Sequence, residues 1–200
     1  MTLKEVIDAV CDAVNIDRLD SIYGNNDASA NGMRALAQAA GDELARRADW
    51  QRLIASSSIS GAGAALPSDF LRVVPGGALR TSAGLPVRPV TNSAQWAVIA
   101  AASPAQPFYF ISGGALNIAP PSAGVNAVFD YISCNWVLAN SGTRKAQLSA
   151  DDDGFLLPDR LMVKNIIWRW RRQKGLAYDD YLAEFEADLL QEITADRGVT

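Results

Sequence analysis

Charge is concentrated at the two ends of this 200-residue chain. Residues 1–52 hold 15 charged side chains (6 basic, 9 acidic) and residues 144–200 hold 20 (9 basic, 11 acidic). The stretch between them holds only five: Asp69, Arg72, Arg80, Arg88 and Asp130. A charge-rich block abundant in Ala and Leu suits helices with one wet face. A charge-poor block rich in Gly, Pro, Ser and β-branched residues suits short strands and turns. The pattern therefore predicts an α+β fold: a helical bundle built from N- and C-terminal helices (1–52 and 144–200, one domain) with a strand-rich insertion over 53–143. A chain of this length buries roughly 70% of its unfolded surface and needs no covalent staple.

Composition narrows the chemistry. There is no histidine, which removes Ser-His-Asp and Cys-His nucleophile pairs and the usual base near neutral pH. Cys11 and Cys134 are too few for a disulfide framework or a four-cysteine metal site, and their apolar flanks predict two buried free thiols. A formal charge of −4 argues against a general nucleic-acid coat. Glu5 and Asp8 interrupt what would be the apolar part of an export signal. The longest charge-free stretch, 89–129, is broken by Pro104, Pro107, Pro120 and Pro121 and offers no bilayer span. The expectation is a soluble chain made in the cytoplasm, with no membrane partner and no cofactor.

Local signals place the elements. Thr2 and Glu5 form a capping-box pattern ahead of a helix over 3–14, with Leu3, Val6, Ile7, Val10 and Val14 in one stripe. A second helix is predicted over 29–49, with Arg46 and Arg47 in its last turn. Residues 50–58, 70–74 and 125–138 read as strands, and 93–102 as a short helix carrying Trp96. Residues 108–111 and 115–118 around Gly113-Gly114 read as a hairpin. Pro158 opens a helix that runs to about Lys174 and stops at Gly175. A final helix over 178–196 packs Tyr181, Leu182, Phe185, Leu189 and Ile193.

The motifs are weak. Asp151-Asp152-Asp153-Gly154 lacks the acid that a calcium loop needs six residues past its glycine, so it reads as a solvated turn. Gly61-Ala62-Gly63, Gly76-Gly77 and Gly113-Gly114 match no phosphate-binding spacing. Glu184 and Glu186 lie two apart on a helix and face different ways. No catalytic constellation emerges, and the chain reads as a non-enzyme. The informative contrast lies between the last two helices. Arg160, Lys164, Arg169, Arg171, Arg172 and Lys174 occur without an acid; Asp179, Asp180, Glu184, Glu186, Asp188, Glu192 and Asp196 occur without a base. Three readings are open: mutual neutralisation within one helical hairpin, a contact between subunits or with a partner, and a nucleic-acid grip built on Trp168-Arg169-Trp170-Arg171-Arg172.

Several fragments together resemble the head-to-tail adaptor (connector) proteins of tailed bacteriophages, the tail tubular protein A-like group. They are Leu66-Pro67-Ser68-Asp69-Phe70-Leu71-Arg72, the stretch Pro107-Phe108-Tyr109-Phe110-Ile111-Ser112-Gly113-Gly114-Ala115-Leu116-Asn117-Ile118-Ala119-Pro120, and Leu157-Pro158-Asp159-Arg160-Leu161. Trp168, Tyr178-Asp179-Asp180-Tyr181 and Arg46-Arg47-Ala48-Asp49-Trp50 complete the set. The resemblance implies a structural virion protein at the head–tail junction: a homo-oligomeric ring, twelvefold in the family, under the portal protein. It implies that DNA passes through the lumen without sequence-specific binding and that the next tail component, a stopper or nozzle protein, docks below. On this reading Arg160, Lys164, Arg169, Arg171, Arg172, Lys174, Asp179, Asp180, Glu184 and Asp188 form the subunit or portal interface. The tail 196–200 and the stretch 56–65 are expected to order on assembly. A small cytosolic ligand- or peptide-binding module with an apolar pocket is the alternative.

Overall fold

The computed structural model describes residues 1–198 of a mixed α+β protein. The first elements are α1 (Leu3–Val14), α2 (Ala28–Arg47), a 3-10 turn (Gln51–Leu53), β1 (Ile54–Ser60), β2 (Gly63–Ala65), β3 (Phe70–Val73), β4 (Leu79–Arg80) and β5 (Arg88–Val90). There follow α3 (Ser93–Ala102), β6 (Phe108–Ser112), β7 (Ala115–Ala119), a second 3-10 turn (Pro121–Gly124) and β8 (Val125–Ser133). The last elements are β9 (Val137–Leu138), β10 (Arg144–Lys145), β11 (Gly154–Phe155), α4 (Asp159–Gln173) and α5 (Asp179–Asp196). Two compact units result: Met1–Leu53 with the residues from Cys134 on, and Ile54–Ser133.

In the first unit α4 packs against α1, α2 and α5. It buries Leu161, Met162, Ile166 and Ile167, while α1 buries Leu3, Val6, Ile7 and Val10. The capping box at α1 is complete: the Thr2 hydroxyl accepts from the Glu5 amide (3.3 Å) and the Glu5 carboxylate accepts from the Thr2 amide (2.8 Å). One close approach sets the spacing to α2. A Cβ on Gly41 would fall 2.1 Å from the Trp136 ring. That ring is 1% exposed, and its Nε1 donates to Asp42 Oδ1 at 3.0 Å. Gly41 costs helix propensity and in return lets an indole lie flat on the helix.

In the second unit β8 pairs antiparallel with β1, β3 and β4, while β2, β7, β6 and β5 form a second sheet. The β6–β7 hairpin turns through Gly113 and Gly114, both at positive φ. The two sheets share one apolar cluster that includes Ile59, Leu79, Tyr109, Leu116, Ile118 and Phe129. Asp69 anchors the turn before β3, accepting from the Tyr131 hydroxyl (2.7 Å) and the Ser133 hydroxyl (2.6 Å).

Several expectations need correction. Trp50 does not begin a strand; its buried Nε1 donates to the Leu44 carbonyl at 2.7 Å and a 3-10 turn follows, so β1 starts at Ile54. The helix-rich unit carries a three-stranded sheet, β10–β9–β11, whereas α3 lies in the strand-rich unit as expected. Those three strands are two residues each, too short to show alternation. Both cysteines are free, but only Cys11 is buried and Cys134 is half-buried. Tyr181 is exposed, on the outer side of α5. Residues 56–65 already lie largely in β1 and β2. Of the tail 196–200, Val199 and Thr200 lie outside the described residues.

Gly41→Ala is expected to destabilise the protein by about 1–3 kcal/mol through overpacking against Trp136, although alanine is the better helix former. Urea denaturation checks this, and a stability equal to or above wild type would contradict it.

Candidate interaction surface

The acidic turn comes first because it fixes the helices. The Asp151 carboxylate accepts from the Ser21 hydroxyl (2.7 Å) and from the amides of Ile22 (3.0 Å) and Tyr23 (2.7 Å). Asp153, 1% exposed, accepts from the amides of Ser149 (2.7 Å) and Ala150 (3.0 Å) and pairs with Lys145 at 2.7 Å. The solvated turn expected here is instead a fastening in which Asp151 and Asp153 satisfy amides that would otherwise have no partner, while Asp152 stays exposed. Burial alone would raise the pKa of Asp151. The hydrogen bonds from Ser21, Tyr23 and Ile22, with the charge of Lys4, outweigh it and hold the carboxyl below its ordinary value.

The α4–α5 pair accounts for many of the sign-segregated charges. Lys164 Nζ lies 2.5 Å from both Glu184 Oε1 and Asp188 Oδ2, and Arg160 Nη2 lies 2.8 Å from Asp188 Oδ2. Burial would lower the pKa of Lys164, but hydrogen bonds and charge from Asp188 and Glu184 push it above the ordinary lysine value. Arg169 turns toward α2: its Nε donates to Asn165 Oδ1 at 2.8 Å, its guanidinium pairs with Glu43, and it lies 4.6 Å over the Trp168 ring. Buried Asn165 in turn donates to the Ala40 carbonyl at 3.3 Å. Arg47 joins α2 to α5 through Glu186.

The remaining charged residues gather where α4 ends and α5 begins. Arg171 donates to the Ala177 carbonyl (2.6 Å) and lies 4.3 Å over the Tyr181 ring; Lys174 sits 6.0 Å from the Trp170 ring centroid. Arg172, Asp179 and Asp180 are exposed and have no side-chain partner among the described residues. Beside this corner runs a half-open groove of about 370 Å³, lined by Ile16, Met33, Leu36, Trp170, Gln173 and Lys174 among others. The sequence-expected interface is thus split. Arg160, Lys164, Arg169, Glu184 and Asp188 serve the fold, and Arg171, Arg172, Lys174, Asp179 and Asp180 stand at its surface. The groove was not legible in sequence, because Ile16, Met33 and Trp170 come from three separate segments.

Among the described residues no cluster of three or more His, Cys, Asp or Glu is disposed to hold a metal ion, and no helix is long and apolar enough to cross a membrane. Chemically, the corner offers exposed charges of both signs beside a groove lined by polar and apolar side chains alike. The chain belongs to the SU10 adaptor protein family, whose profile matches residues 1–200. It is a structural protein of the bacteriophage virion, an adaptor of the head-to-tail type. No curated protein sequence matches the chain.

The two pKa shifts set opposite limbs of stability against pH. Asp151 is depressed when folded, so its contribution is complete above about pH 4 and is lost as pH falls through its folded value. Lys164 is raised when folded, so its contribution is complete below about pH 10 and is lost as pH rises through its folded value. In thermal unfolding scans Asp151→Asn is expected to flatten the acid limb and Lys164→Met the alkaline limb. Limbs parallel to wild type in both variants would contradict the assignment.

Proposed function

We propose that this adaptor assembles as a closed ring under the portal protein, extends the channel through which DNA leaves the head, and offers its far side to the next tail component. The match of one adaptor family over the whole chain carries the reading. Cyclic closure requires heterologous contacts, one patch meeting a different patch on the next copy. DNA in such a lumen passes without sequence-specific grip. Two cations of α4 agree with this: Lys164 and Arg169 are held by acids of the same chain and are largely covered.

The corner formed by Arg172, Lys174, Asp179 and Asp180 is the portal-docking surface, with the neighbouring groove receiving an apolar side chain of the portal. Charges with no partner inside the chain are the ones a partner can pair at no cost to the fold. Arg169 is unsuited to a test, because reversing it would break its pairing with Glu43 and Asn165. The ligand-module alternative draws on the same groove, whose volume is within the range of small-molecule sites, and predicts a monomer that ignores the portal.

The double variant Arg172→Glu/Lys174→Glu tests the docking surface. Its unfolding free energy is expected to stay within about 0.5 kcal/mol of wild type, while binding to purified portal rings weakens at least tenfold and loses salt dependence. Wild-type affinity in a folded double variant would remove the portal from this corner.

A further inference from the structure

Helix α3 breaks the rule that places apolar residues inside. Of its ten residues (SAQWAVIAAA) eight are apolar and none is charged, yet not one is buried. Trp96 stacks on Phe110 with ring centroids 5.7 Å apart, and Val98 is left 70% exposed. A helix that is apolar all round normally lies in an interior, and a contiguous exposed apolar surface marks an interaction site. Leu85 (58%) and Val125 (54%) are exposed on other elements of the same unit.

Charge identifies the occupant. Residues 54–133 carry three arginines and two aspartates, formally +1, whereas the rest of the chain carries 15 bases against 20 acids, formally −5. Two of the five are matched to each other, Arg80 with Asp130 at 2.5 Å, and Asp69 is engaged by Tyr131 and Ser133. Nucleic acid requires cations that α3 lacks, and an anionic lipid surface requires a basic face beside the apolar one. On the strands packed against α3 the one charged residue is Arg88 of β5, too little to hold a strongly charged protein. Copies of this chain can approach through this unit almost free of like-charge repulsion, whereas contact through the acidic unit would oppose −5 to −5. Interface cores are likewise depleted in charge.

We propose that α3 is covered by a second copy of this chain, meeting exposed apolar residues of that copy's own strand-rich unit. Because α3 on one copy and the Leu85 and Val125 regions on the next are different patches, the contact is heterologous, as ring closure demands. The inference rests on the ring proposed above and names the surface through which neighbours join. Trp96 and Ile99 hold the helix to its own sheet, and Val98 faces the neighbour.

A photo-cross-linking residue placed at Val98 in assembled virions tests this, with the same residue at exposed Leu190 on α5 as control. Irradiation is expected to give an adduct of two copies of this chain from position 98 and none from position 190. An adduct with a different virion protein from position 98, or no self-adduct there, would overturn the assignment. Val98→Glu, at an exposed site, is expected to keep the wild-type circular dichroism spectrum and to lose multi-copy assembly; full assembly would also overturn it. Counting copies in wild-type particles separates the two levels. Many copies with no self-adduct overturn the α3 surface alone, whereas one copy per particle overturns the ring and this surface with it.

Discussion

The turn at Asp151–Gly154 closes the helical unit. Its two ends lie 80 residues apart in sequence, separated by Ile54–Ser133, and something must bring them back into one register. The main chain of the turn does so from one side: Leu3 donates to the Asp153 carbonyl at 2.7 Å and Lys4 to the Asp151 carbonyl at 3.0 Å. Two of the four amides left without partners at the start of α1 are thereby satisfied by the distant half of the chain. The Asp151 side chain fixes residues 21–23 at the same point. Because the entropy of closing a loop grows only with the logarithm of its length, an excursion of this size adds little to the cost of that closure.

With the ends joined, α4 becomes the shared wall of α1, α2 and α5, and its cations divide between two tasks. Lys164 and Arg169, on its flanks, pair with Asp188 and Glu43, where truncating one partner would leave a poorly solvated charge behind. Those at its C-terminal end lie toward the surface beside a groove of mixed polar and apolar lining. An assembly protein needs this division. Charges that hold the subunit together are unavailable to partners, and charges offered to partners can be lost without unfolding the subunit.

Much of the local structure was legible. The Thr2/Glu5 capping box fixed both the start and the chemistry of α1; α3 spans the expected 93–102, and the β6–β7 hairpin turns through the expected glycines. Signals of this kind are short-range and act through neighbours in sequence. What escaped were contacts between residues far apart in the chain. Gly41 looks like a poor helix residue until Trp136 is laid across it, and Asp151 and Asp153 look solvated until the Ser21 hydroxyl and the amides of Ile22, Tyr23, Ser149 and Ala150 are brought to them. The segregation of charge between α4 and α5 was visible, but sequence could not tell which members meet each other and which are left over. The family resemblance supplied what local physics could not, namely the kind of assembly the chain serves.

The central proposal is that this chain forms a structural ring at the head–tail junction. Electron cryo-microscopy of intact virions, reconstructed around that junction, tests it most directly. The expected result is a closed ring of copies of this fold directly beneath the portal, with the α4–α5 corner against the portal and DNA or an open channel on the axis. Density for this chain elsewhere in the virion, or a portal seated directly on the tail with no intervening ring, would contradict it.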